Sequence, residues 1–301
     1  MSESRFVGCL VGSAIGDALG ASFEGCGSGD IRIEDIRFGG RWTDDTHMMM
    51  GLSESLAANK GFSGEHMAQT FLRNWEREPW RGYGPGPPRV FRMIKSGVPW
   101  NEAAKRLYGG KGSFGNGAAM RVAPVGLLYY DDVEKLREVA CRSAEITHTH
   151  ELGKEGATIQ AYAVALALQT KTSNLEPGEF LDKIAQFTRN KVYKEKLEKA
   201  RALLPVEDKQ EIIRNLGNTV EAFNSVPTAI YCFAKKHQSC AGAVLYAVSL
   251  GGDTDTIGAM TGAITGAYRG EEDLPNSWKH KLEKGDYITD LAQKLWNLKG
   301  V

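Results

Sequence analysis

Glycine recurs at every fourth position in two distant stretches of this chain. The two sets are Gly8, Gly12, Gly16 and Gly20, and Gly258, Gly262, Gly266 and Gly270. A spacing of four residues places each set on one face of an α-helix, and a face without side chains lets another helix approach closely. Because each glycine costs a helix interior roughly 1 kcal/mol relative to alanine, the pattern predicts compensating close packing between helices.

Small residues also line one face of a third predicted helix, which begins near Glu151. They are Gly153, Ala157, Ala161 and Ala165. Further helices are predicted elsewhere, including one at residues 118–128 and a helical tail at residues 274–298. No long two-residue alternation and no strand–helix repeat occurs. We therefore predict an all-α fold, a compact orthogonal helical bundle that forms a single domain over residues 1–301.

The charges of the chain balance, with 37 basic and 37 acidic residues among 301. This balance disfavours a cationic nucleic-acid groove or a membrane-bound surface. The five cysteines form no C-x-x-C pair, which is typical of a reducing compartment. The N-terminus lacks the basic region of a signal peptide, and Asp17 interrupts the apolar run at residues 6–19. We expect a cytoplasmic protein, or also a nuclear one in a eukaryote.

Two distant segments each combine a pair of carboxylates with two hydroxyls. Thr43-Asp44-Asp45-Thr46 and Asp253-Thr-Asp255-Thr256 both open apolar helices. Short oxygen ligands of this kind suit Mg²⁺. The alternative is that each cluster only caps its helix, since Asp and Thr are favoured at N-caps. Four carboxylates at one site would repel each other without a cation, so two similar clusters favour a shared metal site.

Asp17 lies inside the first glycine-rich helix, where a buried carboxylate without partners would be costly. We expect it either to face a polar centre or to cap a neighbouring helix. The pair His148 and His150 does not match the H-E-x-x-H zinc motif, so a capping or substrate-contacting histidine is favoured over a metal ligand.

Two loops carry candidate binding functions. Residues 109–117 contain five glycines, whose backbone N–H groups can cradle a phosphate. This loop is not a Walker A motif, because Lys111 is followed by Gly112, and a merely flexible loop is the alternative. Residues 78–88 form a long proline- and glycine-rich loop, which is either functional or a plain connector.

Several metal-dependent functions are disfavoured by the pattern around Asp253. An EF-hand fails, because the twelfth position counted from Asp253 is Ile264 instead of a glutamate. An aspartyl phosphatase or a D-x-D sugar-nucleotide transferase would place the motif at the end of a strand in an α/β sheet. The segments around Asp253 are predicted to be helical, so both functions are disfavoured. A helical site with paired cations and a phosphate-binding loop indicates hydrolysis of a nucleotide-sugar glycoside.

Four motifs resemble those of the ADP-ribosylglycohydrolase family, in matching order from residue 6 to residue 298. They are Gly8-Cys-Leu-Val-Gly-Ser-Ala-Ile-Gly-Asp17-Ala-Leu-Gly, Trp42-Thr-Asp-Asp-Thr46, Gly112-Ser-Phe-Gly-Asn-Gly-Ala-Ala-Met-Arg121 and Ser249-Leu-Gly-Gly-Asp-Thr-Asp-Thr256. Further segments are most similar to the subgroup that removes ADP-ribose from serine and cleaves poly(ADP-ribose). These segments are Arg81-Gly-Tyr-Gly, Gly110-Lys-Gly-Ser-Phe-Gly-Asn-Gly, Ser225-Val-Pro-Thr-Ala-Ile-Tyr-Cys-Phe and Pro275-x-Ser-Trp278.

The resemblance implies roles for individual residues. Two Mg²⁺ ions, with Mn²⁺ as an alternative, would be bound by Thr43, Asp44, Asp45, Asp253, Asp255 and Thr256. Glu24 would be the mobile acid near the scissile bond, and Asp45 and Asp253 would share in catalysis. ADP-ribose would be bound by Gly82, Gly86, Tyr108, Gly112, Ser113, Phe114, Asn116 and His148.

The resemblance also implies a function, which is Mg²⁺-dependent hydrolysis of the bond between ADP-ribose and a protein side chain, with serine favoured. Poly(ADP-ribose) and O-acetyl-ADP-ribose are further candidate substrates. The alternatives are an arginine-specific hydrolase and a non-catalytic, crystallin-like relative. We expect a monomer whose partners are ADP-ribosylated proteins or peptides and free ADP-ribose, without direct nucleic-acid or membrane contacts.

Overall fold

The computed structural model describes residues 1–173 and 175–300. These residues form sixteen α-helices and short 3₁₀ turns, and no β-strand. The helices are α1 Glu3–Gly20, α2 Asp44–Asn59, α3 Gly64–Arg77, α4 Gly86–Lys95, α5 Trp100–Ala103, α6 Ala123–Leu128, α7 Val133–Glu145, α8 Glu151–Gln169, α9 Pro177–Phe187, α10 Lys191–Ala202, α11 Lys209–Leu216, α12 Ala222–Lys236, α13 Cys240–Val248, α14 Thr254–Arg269, α15 Asn276–Lys281 and α16 Gly285–Leu298. The prediction of an all-α fold is confirmed. No described helix combines the length and the apolarity that crossing a bilayer requires.

The two predicted glycine faces pack against each other. Helices α1 and α14 run antiparallel, so that Gly8 meets Gly266 at one end and Gly20 meets Thr254 at the other. A Cβ atom on Gly16 would lie 2.0 Å from the carbonyl oxygen of Gly258, closer than real Cβ contacts. The backbones of the two helices are therefore in direct contact, which explains why glycine is required along both faces.

Helix α8 lies beside this pair and uses its own small-residue face. Ala157, Ala161 and Ala165 are buried. A Cβ on Gly126 of α6 would lie 2.5 Å from the carbonyl oxygen of Ala161. The third small-residue face therefore also serves close helix packing, as the sequence predicted.

Two predicted helices are shorter in the structure. The predicted helix at residues 118–128 begins only at Ala123, after a 3₁₀ turn at Asn116–Ala118. Pro124 explains the late start, because a residue without an N–H fits the first turn of a helix. The helical tail is split into α15 and α16, since Lys284 adopts a left-handed conformation and Glu283 N–H donates to the Gly40 carbonyl.

The α1–α14 contact makes a prediction about stability. Gly16→Ala should lower the free energy of unfolding by roughly 2 kcal/mol or more, because the added methyl group overlaps the Gly258 backbone. Gly242→Ala is the matched control, since Gly242 is also helical but its Cβ would meet only Ser239, at 3.5 Å. That control should be neutral or stabilising. Urea unfolding measures both variants, and equal stability of Gly16→Ala and the parent would contradict the packing.

Candidate active site

A pocket opens where the end of α1 meets the beginnings of α2 and α14. Its volume is about 230 Å³. It is lined by Glu24, Asp44, Asp45, Gly82, Gly84, Pro85, Gly86, Pro87, Tyr108, Ser113, Gly115, Asn116, Gly117, Met120, Thr147, His148, Val220, Asp253, Asp255 and Thr256. The two acidic clusters, which are far apart in the sequence, therefore face the same cavity.

A tight turn places Glu24 beside the second acidic cluster. Gly251 and Gly252 both have left-handed backbones, with φ of 70° and 76°. Gly252 accepts a hydrogen bond from Gly25 N–H at 2.8 Å and donates one to the Cys26 carbonyl at 2.9 Å. One carboxylate oxygen from each of Glu24, Asp253 and Asp255 can lie within 4.8 Å of the others.

Asp17 caps α2 from the neighbouring helix α1, which decides between its two predicted roles. Its buried carboxylate accepts hydrogen bonds from the N–H groups of Thr43 and Thr46, at 3.0 Å each. It also accepts from both threonine hydroxyls, at 2.9 and 2.6 Å. The Thr43 hydroxyl donates to Asp17 and also lies 3.4 Å from Asp45 Oδ2. Thr43, a predicted metal ligand, is therefore next to the pocket-lining Asp45 but does not line the pocket itself.

The pocket acids are held in an environment that disfavours their charged forms. Burial, and then repulsion by Asp17, raises the pKa of Asp44 to about 8. Burial, and then repulsion by Asp253, raises the pKa of Asp255 to about 9. The pKa of Asp45 is also raised well above its ordinary value by burial and by Asp255. Asp45 Oδ1 is buried and accepts no hydrogen bond from the described residues.

The glycine-rich loop, residues 109–117, is held in place by hydrogen bonds to other elements, which argues against a merely flexible segment. Asn116 N–H donates to the Val220 carbonyl at 2.9 Å, and Ala222 N–H donates to the Phe114 carbonyl at 3.0 Å. The Asn116 side-chain amide donates to Asp253. The loop is thereby joined directly to the second acidic cluster.

His148 forms part of the pocket wall as a neutral imidazole. Burial, and then the nearby Arg121, lowers the pKa of His148 to about 3. Its Nδ1 lies 2.7 Å from the Thr147 hydroxyl. A Cβ on Gly117 would lie 2.9 Å from the imidazole Cε1. The glycine therefore allows the loop backbone to lie against the ring.

Arg121 is a structural residue of the site to which sequence reasoning gave no role. Its guanidinium is fully buried and donates to the carbonyls of Gly117 and Ser143, at 3.1 and 3.0 Å. It also lies over the ring of Phe71. Arg121 thus fastens the glycine-rich loop to the helices behind it. The only sequence signal was its place at the end of one quoted motif.

The predicted loop at residues 78–88 ends earlier in the structure, because α4 begins at Gly86 and the two prolines that follow fit its first turn. This segment lines the pocket from its acidic end to the opposite rim. A Cβ on Gly82 would lie 3.7 Å from Asp44 Oδ1, and one on Gly86 would lie 3.4 Å from the Tyr108 hydroxyl. Tyr108 is 47% exposed at this rim. The loop is therefore more than a connector, because it joins the acidic end to the aromatic end.

Two predicted substrate-binding residues lie outside the pocket lining. The Phe114 ring is 44% exposed and packs against His150 and Phe223. Gly112 has a left-handed backbone with φ of 71° and packs against Thr149. Both residues support the glycine-rich loop from behind.

Comparison with known proteins identifies the family. A family model described as ADP-ribosylglycohydrolase matches residues 1–301. The chain belongs to this family. ADP-ribosylhydrolase ARH3 of Bos taurus is 38% identical over 339 residues, covering 98% of this chain and 93% of the relative. The Homo sapiens protein of the same name is 36% identical, covering 98% and 93%.

A solved structure supports the same assignment. It is described as an ADP-ribosylglycohydrolase-related protein complex, and it matches with a TM-score of 0.78 and 27% identity over 98% of both chains. The chain is therefore a hydrolase of glycosyl bonds that acts on ADP-ribosylated substrates, as the sequence predicted.

The acidic end of this ADP-ribosylglycohydrolase fits a divalent cation. Its four aspartates are buried and Glu24 is exposed. None of the five carboxylates forms an ion pair with a basic side chain among the described residues. Asp45 Oδ1 has no hydrogen-bond donor. A cation supplies the positive charge that these groups lack, and oxygen ligands suit hard metal ions. The residues placed to hold it are Glu24, Asp44, Asp45, Asp253, Asp255 and Thr256.

The raised pKa values predict how pH affects the cation-free glycohydrolase. Unfolded aspartates release their protons near pH 4. The folded state keeps them up to about pH 8 at Asp44 and about pH 9 at Asp255. The folded state thus binds more protons across this window, so the free energy of unfolding should fall as pH rises through it.

Differential scanning fluorimetry with EDTA or with Mg²⁺ tests this expectation. Near pH 8, Mg²⁺ should raise the melting temperature by roughly several degrees, because a cation that binds only the folded cluster stabilises the folded state. The double variant Asp44→Asn/Asp255→Asn should lose most of both the pH dependence and the Mg²⁺ response. If the melting temperature of the parent protein changed neither with pH nor with added Mg²⁺, the electrostatic account would be contradicted.

Removing the Asp17 cap should affect both stability and cation binding. Asp17→Ala leaves two N–H groups and two hydroxyls without their acceptor, which should cost roughly 2 kcal/mol or more and weaken Mg²⁺ binding. Ser239→Ala is the control, because it removes the cap of α13, away from the pocket. It should cost about 1 kcal/mol and leave the Mg²⁺-induced shift unchanged. Equal Mg²⁺ affinities for Asp17→Ala and the parent would contradict a positioning role.

Proposed function

We propose that this protein is an Mg²⁺-dependent hydrolase that removes ADP-ribose from serine side chains of proteins. The observation that carries the proposal is the convergence of Glu24 and both aspartate pairs on one pocket, next to a fixed glycine-rich loop. The preference for serine is supported by Arg81-Gly-Tyr-Gly and the other segments that resemble the serine-specific subgroup.

The two ends of the pocket suggest how ADP-ribose is oriented. The ribose that carries the scissile bond would lie at the acidic end, between Glu24 and Asp44. The diphosphate would lie along residues 115–117, where Gly115 and Gly117 present no side chain to the pocket. The base would lie towards Tyr108, whose exposed ring offers a stacking surface.

The protein's own residues supply the proton transfer and the alignment. Glu24 is an exposed residue at the pocket. Partial desolvation of its carboxyl group, and then repulsion by Asp253, raises the pKa of Glu24. A raised pKa suits a group that accepts a proton and returns it during the reaction. A water attacks the anomeric carbon and passes a proton to Glu24, while the bond to the serine oxygen breaks. Glu24 then passes this proton to the leaving serine oxygen, so that the products are ADP-ribose and a serine hydroxyl, and the Glu24 carboxylate is regenerated. A bound divalent cation would supply positive charge next to the sugar hydroxyls and to the negative charge that develops on the leaving oxygen.

Hydrogen bonds from neighbouring residues orient Asp253, which is one of the residues placed to hold the cation. Its N–H donates to the Asn218 carbonyl at 2.8 Å. Its carboxylate accepts from the Asn116 amide, which in turn donates to the Ser225 hydroxyl at 2.9 Å. Asn116 therefore orients Asp253 and links the glycine-rich loop to the acidic end of the pocket.

Hydrolysis assays with defined linkages test the proposal. Peptides carrying ADP-ribose on serine or on arginine, together with O-acetyl-ADP-ribose and poly(ADP-ribose), are incubated with Mg²⁺ or EDTA. The serine-linked peptide should be hydrolysed fastest, and only with Mg²⁺. Glu24→Gln should lower kcat by about 100-fold or more, because it removes the group that handles the proton.

The control variant is Glu34→Gln, which changes an exposed glutamate on the same loop, outside the pocket lining. It should retain the parental rate. Faster cleavage of the arginine linkage would replace the serine assignment, and full activity of Glu24→Gln would contradict the assigned role of Glu24.

A further inference from the structure

Trp80 is the most exposed large apolar side chain of the described residues, with 63% of its surface accessible. The backbone on both sides of it is braced. Glu78 forms ion pairs with Arg81 and Lys284. Arg81 also donates to Glu283 at 2.9 Å and lies 3.7 Å above the ring of Trp42. Trp80 is therefore displayed from a rigid segment.

An open recess of about 460 Å³ lies beside this tryptophan. It is lined by Gly39, Gly40, Arg41 and Lys281, and by the ion-paired side chains of Glu78, Arg81 and Glu283. We refer to Trp80, Arg41, Lys281 and this recess as the Trp80 surface.

The Trp80 surface carries two uncompensated positive charges. Arg41 and Lys281 are exposed, and neither forms an ion pair with any described residue. Glu78 and Glu283, which also line the recess, are already paired with Arg81 or Lys284. An exposed tryptophan next to free cations matches the composition of protein interfaces, where Trp and Arg are enriched.

This surface adjoins the acidic end of the active-site pocket. Arg41 precedes Asp44 by three residues, and Trp80 precedes Gly82 by two. Gly82 in turn lies against Asp44, whereas Tyr108 lies at the opposite end, beside Gly86. The Trp80 surface is therefore on the side where the scissile bond lies, which is where the polypeptide attached to ADP-ribose must leave the pocket.

We propose that the Trp80 surface binds the polypeptide that carries the ADP-ribosyl group, and that it prefers segments with acidic residues. This inference rests on the function proposed above. An acidic side chain of the acceptor pairs with Arg41 or Lys281, while its neighbouring residues pack on the Trp80 ring. The pocket then recognises ADP-ribose, and the Trp80 surface recognises the protein that carries it.

The test compares two substrates with the same linkage. One is an ADP-ribosylated peptide with glutamates next to the modified residue, and the other is the corresponding ADP-ribosyl amino acid, which is too small to reach Trp80. Trp80→Ala should lower kcat/KM for the peptide by about fivefold to tenfold, through KM, as expected for loss of an aromatic interface residue. Hydrolysis of the amino-acid substrate should stay within about twofold of the parental rate.

A second pair of measurements tests the charge preference. The variant Arg41→Gln/Lys281→Gln should weaken hydrolysis of the acidic peptide and leave a peptide with glutamines in place of the glutamates unaffected. Added salt should lower kcat/KM of the parent for the acidic peptide alone. Control variants are Val192→Ala and Lys194→Gln, which change an exposed apolar residue and an unpaired cation on α10. Both should match the parent on every substrate.

The outcomes separate the docking surface from the proposed activity. An equal loss on peptide and amino-acid substrate in Trp80→Ala would assign Trp80 to the support of the pocket and overturn docking. Unchanged peptide kinetics in both the Trp80 and the cation variants would overturn it as well. If the parent hydrolysed neither substrate, the proposed function would fail, and the docking surface would fail with it.

Discussion

The contact between the backbones of α1 and α14 is the constraint on which the active site depends. Along this contact no side chain separates the helices, and each glycine face fits against the carbonyl groups of the other. A shift along the axis would bring side chains into spaces that hold only backbone, so the register of the two helices is fixed. The end of α1 is thereby held against the beginning of α14, and Asp17 and Asp255 come together from opposite ends of the chain.

This arrangement concentrates negative charge more strongly than the protein alone can balance. Helices α2 and α14 direct their N-termini towards the pocket, and the helix dipoles favour nearby carboxylates by about 1 kcal/mol each. That contribution is small compared with the cost of burying several carboxylates together. The raised pKa values of Asp44 and Asp255 show that this cost is not offset by the protein. Cation binding and folding stability are therefore linked at this site.

The sequence predicted the helical fold and the two acidic clusters, but it could not predict which elements are partners. A four-residue spacing defines a face of a helix without naming the helix that packs against it, so the mutual contact of α1 and α14 required the structure. Asp17 was ambiguous for the same reason, because capping across helices depends on tertiary position. Apart from its place at the end of one motif, Arg121 gave no signal of its role, since its hydrogen bonds are to backbone carbonyls, which any sequence provides.

Local geometry also separated residues that motif resemblance groups together. Ser113 and Asn116 line the pocket, whereas Gly112 and Phe114 of the same motif support the loop from outside it. Thr43 shows the same dependence on distant elements, because its hydroxyl donates to Asp17 of α1 and lies 3.4 Å from the Asp45 carboxylate. A motif thus identifies a loop as functional, while the direction of each side chain within it depends on hydrogen bonds to distant elements.

The composition of the pocket wall has a consequence for the binding of an anionic ligand. No lysine or arginine occurs among the described residues that line the pocket, and His148 is neutral because its pKa is about 3. Arg121 lies behind the wall, where its guanidinium donates hydrogen bonds to the backbone carbonyls of Gly117 and Ser143. A diphosphate in this pocket would therefore meet the glycine-rich loop, the neutral imidazole and whatever cation the acids hold. The acidic cluster thus contributes to ligand affinity only when its own charge has been neutralised, which ties substrate binding to cation binding in the same cavity.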